Sequence, residues 1–151
     1  MDRRPYNFVM LTRTWSDAER AHLVLRITLG VNVVIHGLVR IGHSGSFADA
    51  MVRDFATTPL PGWSVWAFGA VIPTAELVIG LAILLGAQLR AALFLGGLLI
   101  AALVLGTCLR QQWEVVGIQM LYALIYFALA ARAGDARFSI DQLLAPRSEG
   151  S

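Results

Sequence analysis

The 151-residue sequence contains no lysine, one cysteine and only three histidines. Cys108 stands alone, which excludes an intrachain disulfide and a CxxC redox pair. His22, His36 and His43 have no cysteines near them, so we expect no metal site. The net charge is only +2, which gives no indication of a nucleic-acid-binding surface.

Charged residues are scarce as well, and apolar residues are abundant. Only 15% of the chain is charged, where soluble domains have about a quarter, and 57% is hydrophobic. Four apolar stretches cover about 21–41, 64–85, 89–109 and 115–131. Each is long enough, as a helix, to cross roughly 30 Å of hydrocarbon. The sequence therefore predicts an all-α, polytopic membrane protein with a four-transmembrane-helix bundle over residues 21–131.

The connection between the first two spans, residues 44–62, is too long for a simple turn and too polar to span. Phe47, Met51 and Phe55 recur at the spacing of one helix face. This pattern predicts a short interfacial helix, and an ordinary surface loop is the alternative. Ser16 and Glu19 fit a capping box at the start of the first span.

Arginine positions predict the orientation. With four spans, residues 1–20 and 132–151 form tails on the same side of the membrane. That side holds eight arginines and the other holds three, Arg40, Arg53 and Arg110. By the positive-inside rule we expect both termini in the cytoplasm, in a bacterial inner (plasma) membrane.

Polar groups inside the spans are the candidates for function, because such groups are costly in a bilayer. Asn32, His36 and Arg40 form one stripe on the first span, which we expect to face the bundle interior. We expect Glu76 of the second span to meet this stripe. As a buried carboxyl, Glu76 is either neutral or charged beside Arg26, Arg90 or a protonated His36. Gln119, Tyr122 and Tyr126 of the fourth span are expected to complete the wall of a polar pocket.

A histidine, a carboxyl and an amide around an apolar cavity suit a quinone. Donors meet the carbonyl oxygens, and His36 or Glu76 exchanges protons, which makes these two the candidate catalytic residues. The candidate quinone-binding residues are Asn32, Arg40, Gln119 and Tyr122. The alternative is that these groups only pair with each other and specify helix packing. Arg26 and Arg90 are interpreted as arginines at the membrane boundary, and His22 and His43 as solvated.

The first three spans contain the short stretches Leu25-Arg26, Leu29-Gly30 and His36-Gly37-Leu38, then Pro73, Glu76 and Gly80, then Gly86 with Leu89-Arg90-Ala91-Ala92. In these stretches the sequence resembles the DoxX family of small four-helix membrane proteins. The resemblance covers about residues 23–130, with arginine at position 40 where the family more often has lysine. It implies a four-helix bundle similar to the DoxD-type subunit of thiosulfate:quinone oxidoreductase, and it raises His36 and Glu76 as candidates.

Three functions follow as hypotheses. The first is a quinone-interacting subunit of a membrane oxidoreductase or respiratory complex. The second is a noncatalytic anchor or assembly factor that docks a partner protein through residues 44–62. The third is a small lipid-binding or transport protein, for which the chain lacks an evident inverted repeat. Membrane lipid, a quinone and partner subunits or further copies of the chain are the partners expected.

Overall fold

The computed structural model describes residues 15–145, and the outer parts of the two predicted tails, 1–14 and 146–151, lie outside the described residues. Within this range the chain is helical. The helices are α1 (Asp17–Ile41), α2 (Ser44–Asp54), α3 (Gly62–Leu85), α4 (Leu89–Leu109), α5 (Trp113–Ala131) and α6 (Ile140–Leu144), with a 3₁₀ turn at Ala133–Asp135.

Four of these helices, α1, α3, α4 and α5, are long and apolar enough to cross a membrane. The predicted four-helix bundle is therefore confirmed, and so is the short helix between the first two spans. We call the end with residues 42–61 and 110–112 the loop end. The opposite end, with the α3–α4 turn and residues 132–145, is the terminal end. The chain is a multi-pass membrane protein.

The start of α1 follows from its capping residues. Ser16 accepts a hydrogen bond from the backbone amide of Glu19, and the Glu19 carboxylate accepts one from the amide of Ser16. This reciprocal arrangement satisfies two amides that a helix start leaves unpaired. The predicted capping box is confirmed, and it extends the helix to Asp17, ahead of the apolar stretch.

The helices associate as two pairs, α1 with α3 and α4 with α5. The first pair is close because glycines face backbone across it. A Cβ at Gly37 would lie 2.6 Å from the Pro73 carbonyl oxygen, and one at Gly80 would lie 2.6 Å from the Val34 amide nitrogen. Such distances leave no room for a side chain, so the two backbones meet directly.

Glycine and alanine also recur in α4, the third span, but Gly97 does not lie close to another helix. A Cβ there would meet nothing within 4 Å. Instead Gly96 lies against the Tyr126 ring of α5. In α4 the close contacts of glycine are with side chains, Tyr126 at Gly96 and Phe55 at Gly106, whereas α1 and α3 meet backbone to backbone.

The main hydrophobic core fills the terminal half of the bundle. Its members are buried and come from all four spans: Leu29, Val33, Ile79, Ile83, Leu89, Ala92, Leu93, Tyr126, Leu129 and, from the following segment, Ala136. Toward the loop end this core stops, and α2 lies against α3 instead. There Ala48 is fully buried, and its Cα lies 3.0 Å from where a Cβ on Gly69 would stand.

Residues 132–145 fold back across the terminal end. Asp141 accepts hydrogen bonds from the backbone amides of Gln88 and Leu89, at 2.7 and 2.8 Å, and so caps the start of α4. Arg26 donates to the backbone carbonyls of Phe138 at 2.9 Å and Arg137 at 3.4 Å. Its side chain also lies against Gly86, which ends α3 in a left-handed conformation with a φ of 65°.

This covering segment corrects two sequence interpretations. Arg26 is only 2% exposed, so it is not a boundary arginine that reaches water. His22 is 5% exposed, with its Nε2 atom 3.4 Å from the Leu129 carbonyl oxygen, so it is not solvated. Both were wrong because hydropathy does not reveal that residues 132–145 cover this end. His43 and Arg90 are exposed, as expected.

We predict that Gly37→Ala destabilises the bundle by about 2 kcal/mol, because the added methyl group would meet α3 backbone that cannot move aside. Unfolding in mixed detergent micelles would measure the loss. Gly97→Ala, also inside a membrane-spanning helix, is the matched control, because its added methyl enters open space. Equal stability of the two variants would contradict the direct backbone contact.

Candidate functional site

A cavity of about 620 Å³ lies between the two helix pairs in the loop half of the bundle. It begins where the hydrophobic core stops, and α2 covers it at the loop end. Most of its lining is apolar, with aromatic and aliphatic side chains from helices α1 to α5. Its polar lining residues are Asn32, His36, Arg40, Asp54, Ser64, Glu76, Thr107, Arg110, Gln119, Tyr122 and Tyr126.

The strongest polar contact in the cavity joins the two helices of the first pair. The Nη1 atom of Arg40 donates to both carboxylate oxygens of Glu76, at 2.9 and 3.1 Å. The Glu76 side chain is 10% exposed and that of Arg40 is 31% exposed. Gly37 lies one turn before Arg40 and packs on Pro73 and Leu77, which flank Glu76. The close backbone contact therefore brings the two charges together.

This pairing changes the interpretation of Glu76. The sequence offered Arg26, Arg90 or a protonated His36 as its charged neighbour, and the partner is Arg40. Arg26 lies beneath the C-terminal segment, and Arg90 is exposed at the start of α4. Arg40 itself was predicted as a pocket residue, but its ion pair was not foreseen.

A second ion pair crosses the loop end of the cavity. Arg110, at the end of α4, lies 3.2 Å from the carboxylate of Asp54, at the end of α2. Its guanidinium also lies 5.1 Å from the centre of the Phe55 ring. Arg40 has the same relation to Phe47, again at 5.1 Å. Each guanidinium therefore has a carboxylate and an aromatic face, both of which stabilise its charge.

The apolar face of α2 accordingly has a different role from that expected of an interfacial helix. Phe47, Met51 and Phe55 all line the cavity. They turn inward because α2 packs on α3 through Ala48, which places this face over the gap between the helix pairs. The helix was predicted correctly, and its apolar face contacts the bundle interior.

Two uncharged hydrogen bonds lie deeper along the wall of the cavity. The Tyr122 hydroxyl of α5 donates to the Asn32 side-chain oxygen of α1 at 3.1 Å. The Thr107 hydroxyl of α4 donates to the Gln119 side-chain oxygen of α5 at 2.7 Å. These bonds join helices across the bundle, and the nitrogen atoms of Asn32 and Gln119 remain available as donors.

His36 also lines the cavity, but its side chain is exposed and forms no hydrogen bond or ion pair with any of residues 15–145. It lies one turn from both Asn32 and Arg40 on α1. Asn32 and Arg40 each have a hydrogen-bond partner, so His36 is the stripe residue with both of its ring nitrogens available to a ligand.

The structure brings all six predicted site residues to one cavity: His36 and Glu76, with Asn32, Arg40, Gln119 and Tyr122. Their catalytic and binding roles stay predictions. Sequence reasoning missed Asp54, Thr107 and Arg110. Opposite charges at two loop-end positions were a signal for the Asp54–Arg110 pair, but helix packing was needed to pair them. Among residues 15–145 no group of three or more His, Cys, Asp or Glu side chains is placed to hold a metal ion.

A family model described as DoxX matches residues 21–109. The chain belongs to the DoxX family. The match spans α1 to α4 and includes His36, Arg40 and Glu76, so the ion pair lies within the DoxX region. It ends before α5, which supplies Gln119 and Tyr122. No curated protein and no solved structure matches the chain.

We predict strong coupling between Arg40 and Glu76. Arg40→Met alone should cost about 3 kcal/mol of stability, because it leaves a buried carboxylate without its partner. The double variant Arg40→Met/Glu76→Met should cost less than the sum of the two single variants. Arg40→Lys, which keeps the charge, should retain most of the stability.

Unfolding in mixed micelles would measure this double-mutant cycle. The exposed pair Arg132–Asp135, at 2.6 Å, is the control, and its coupling should be about 0.5 kcal/mol. Additive effects of the Arg40 and Glu76 substitutions would show that the pair does not act as a unit.

Proposed function

We propose that this DoxX protein is a quinone-interacting subunit of a membrane oxidoreductase, with the quinone head group bound in the cavity between the helix pairs. One observation carries the proposal. An apolar cavity within the span region is lined by a cluster of hydrogen-bonding groups, at Asn32, His36 and Arg40 of α1 and at Glu76 and Tyr122, which pair with Arg40 and Asn32.

The size and lining of the cavity support a small, ring-shaped ligand. Its volume of about 620 Å³ falls in the range of roughly 300–1,000 Å³ found for small-molecule pockets. Phe47, Phe55 and Phe68 provide aromatic surface for a flat ring, while most of the other walls are aliphatic. Such pockets typically combine an apolar lining with a few well-placed polar groups.

The polar groups suit the two carbonyl oxygens of a quinone. The Arg40 guanidinium, the Asn32 side-chain amide and a His36 ring nitrogen are donors on the cavity wall. Glu76 and His36 are the groups able to give and take protons there. In this proposal the electrons come from a redox centre in a partner subunit, and this chain supplies the quinone site and the protons.

The anchor hypothesis receives less support. It needs residues 44–62 as an outward docking surface, but the apolar face of α2 lines the cavity. Deleting residues 46–56 would therefore remove part of the cavity wall together with any docking surface. Loss of a partner in that deletion would not distinguish docking from misfolding.

We predict that filling the cavity abolishes quinone binding. Ala102 lines the cavity, and its neighbour Ala101 is exposed on the outer face of α4. Ala102→Trp should therefore lose bound quinone, and Ala101→Trp should retain it. The probe is a decyl-substituted benzoquinone added to protein in lipid nanodiscs, with the bound amount measured by mass spectrometry.

Equal binding by the two tryptophan variants, or no binding by the wild-type protein, would contradict the proposal. Thermal unfolding of both variants checks that Ala102→Trp remains folded. Because the two positions are adjacent on one helix, a general effect of a new indole on the bilayer or on helix propensity applies to both.

We also propose that both termini face the cytoplasm of a bacterial cell, in the inner membrane. Among residues 15–145, the arginines toward the terminal end are Arg20, Arg26, Arg90, Arg132 and Arg137, and those toward the loop end are Arg40, Arg53 and Arg110. Reporter fusions after residue 145 should give fluorescence with a cytoplasm-dependent protein, and those in the α2–α3 loop should give activity with an export-dependent phosphatase. The reverse pattern would invert the orientation.

A further inference from the structure

The phenol of Tyr126 lies where the cavity meets the hydrophobic core. Tyr126 is a member of that core and also lines the cavity, and the residue is only 4% exposed. Gly96 on α4 and Tyr126 on α5 are the residues of their helices that line the cavity nearest the terminal end. A Cβ on Gly96 would stand 2.6 Å from the Tyr126 hydroxyl oxygen. The missing side chain at Gly96 therefore leaves room for the phenol at the inner end of the cavity.

The Tyr126 hydroxyl forms no hydrogen bond with any of residues 15–145. In this part of the chain, the fully enclosed side-chain nitrogen and oxygen atoms that lack a partner belong to His22 and Arg26. The Tyr126 oxygen is not among them, so it borders open space, and the open space beside Tyr126 is the cavity. A buried hydroxyl without a partner is unfavourable in apolar surroundings. The hydroxyl is therefore placed to donate to a molecule in the cavity.

The next tyrosine of α5 differs in this respect. Tyr122 lies one turn closer to the loop end, and its hydroxyl donates to the Asn32 side-chain oxygen at 3.1 Å. Its proton is thus already in use within the protein, whereas the proton of the Tyr126 hydroxyl is available. Of the two tyrosines that line the cavity, Tyr126 is the one whose hydroxyl is free to donate to a ligand.

His36 provides free hydrogen-bonding atoms on the other side of the Asn32–Tyr122 bond. It lies one turn from Asn32 toward the loop end, and Tyr126 lies one turn from Tyr122 toward the terminal end. The backbone levels of His36 and Tyr126 are therefore about 12 Å apart along the bundle. A para-benzoquinone ring with a hydrogen bond of about 2.9 Å at each oxygen spans about 11 Å from donor to donor. Such a ring matches the separation of the two levels.

We propose that the Tyr126 hydroxyl donates a hydrogen bond to the inner oxygen of the ligand. The opposite oxygen then lies toward His36 and Arg40, so the cavity selects a ring that carries acceptors at opposite positions. This inference rests on the proposed function and adds a binding residue that fixes the orientation of the ring. Glu76 and His36 stay the groups that exchange protons, and Tyr126 keeps its proton while it donates.

Tyr126→Phe tests the inference, because it keeps the aromatic ring beside Gly96 and removes only the hydroxyl. We expect decyl-benzoquinone to bind this variant in lipid nanodiscs about tenfold more weakly, since one ligand oxygen loses its donor inside a closed site. Infrared spectra of the bound quinone, isotopically labelled at one carbonyl carbon or at the other, identify that oxygen. One carbonyl band should move to higher frequency in the variant, and the other should stay.

Thermal unfolding of the ligand-free protein separates a ligand contact from a structural role. Because the hydroxyl has no partner there, Tyr126→Phe should unfold at the wild-type temperature or above it. Thr28→Val is the control for loss of a hydroxyl within a span. Thr28 is exposed, donates to the Val24 carbonyl of its own helix and does not line the cavity, so this variant should bind quinone as the wild type does.

Wild-type affinity with unchanged carbonyl bands in Tyr126→Phe would overturn the inference and leave quinone binding intact. A shift of both bands would show that the whole ring had moved, and a lower unfolding temperature would assign the hydroxyl to the fold; either result would also overturn it. Absence of quinone binding by the wild-type protein would contradict the proposed function itself.

Discussion

The direct backbone contact between α1 and α3 is the constraint on which the rest of the site depends. Gly37 lies on the backbone of α3 from Pro73 to Leu77, and this contact fixes the rotation of both helices. Arg40 lies one turn beyond Gly37 on α1, and Glu76 lies between Pro73 and Leu77 on α3. The contact therefore brings the two charged side chains to within 2.9 Å of each other. Had either helix rotated, one charge would face lipid, where it is strongly disfavoured.

The tightness of this pair also explains why the cavity lies where it does. α1 and α3 are held together along their length, and α4 and α5 form the other pair. In the terminal half large aliphatic side chains such as Leu93 and Leu129 fill the space between the pairs. In the loop half the space between the pairs is left open as the cavity, whose walls carry the polar side chains, and α2 covers it at the loop end. A stable bundle and a ligand cavity thus share one set of helices.

The buried arginine of the terminal end has different partners from the two arginines that line the cavity. At the loop end, Arg40 and Arg110 each have a carboxylate partner and an aromatic ring. At the terminal end, the buried Arg26 has carbonyl oxygens as partners and lies at the C-terminal end of α3, where a positive charge is favoured. Carbonyls fix the covering segment in place without introducing a second buried charge, which suits a structural role.

The sequence by itself determined the number of spans, the helix between the first two, the capping box and the residues of the polar stripe. Each depends on local hydropathy or on the helical period, which neighbouring residues reveal. Only the tertiary structure decided that Glu76 pairs with Arg40, that α2 turns its aromatic face inward, and that His22 and Arg26 are buried. These depend on helix rotation and on residues 132–145 folding back, and contacts between distant residues leave no local periodic signal in a single sequence.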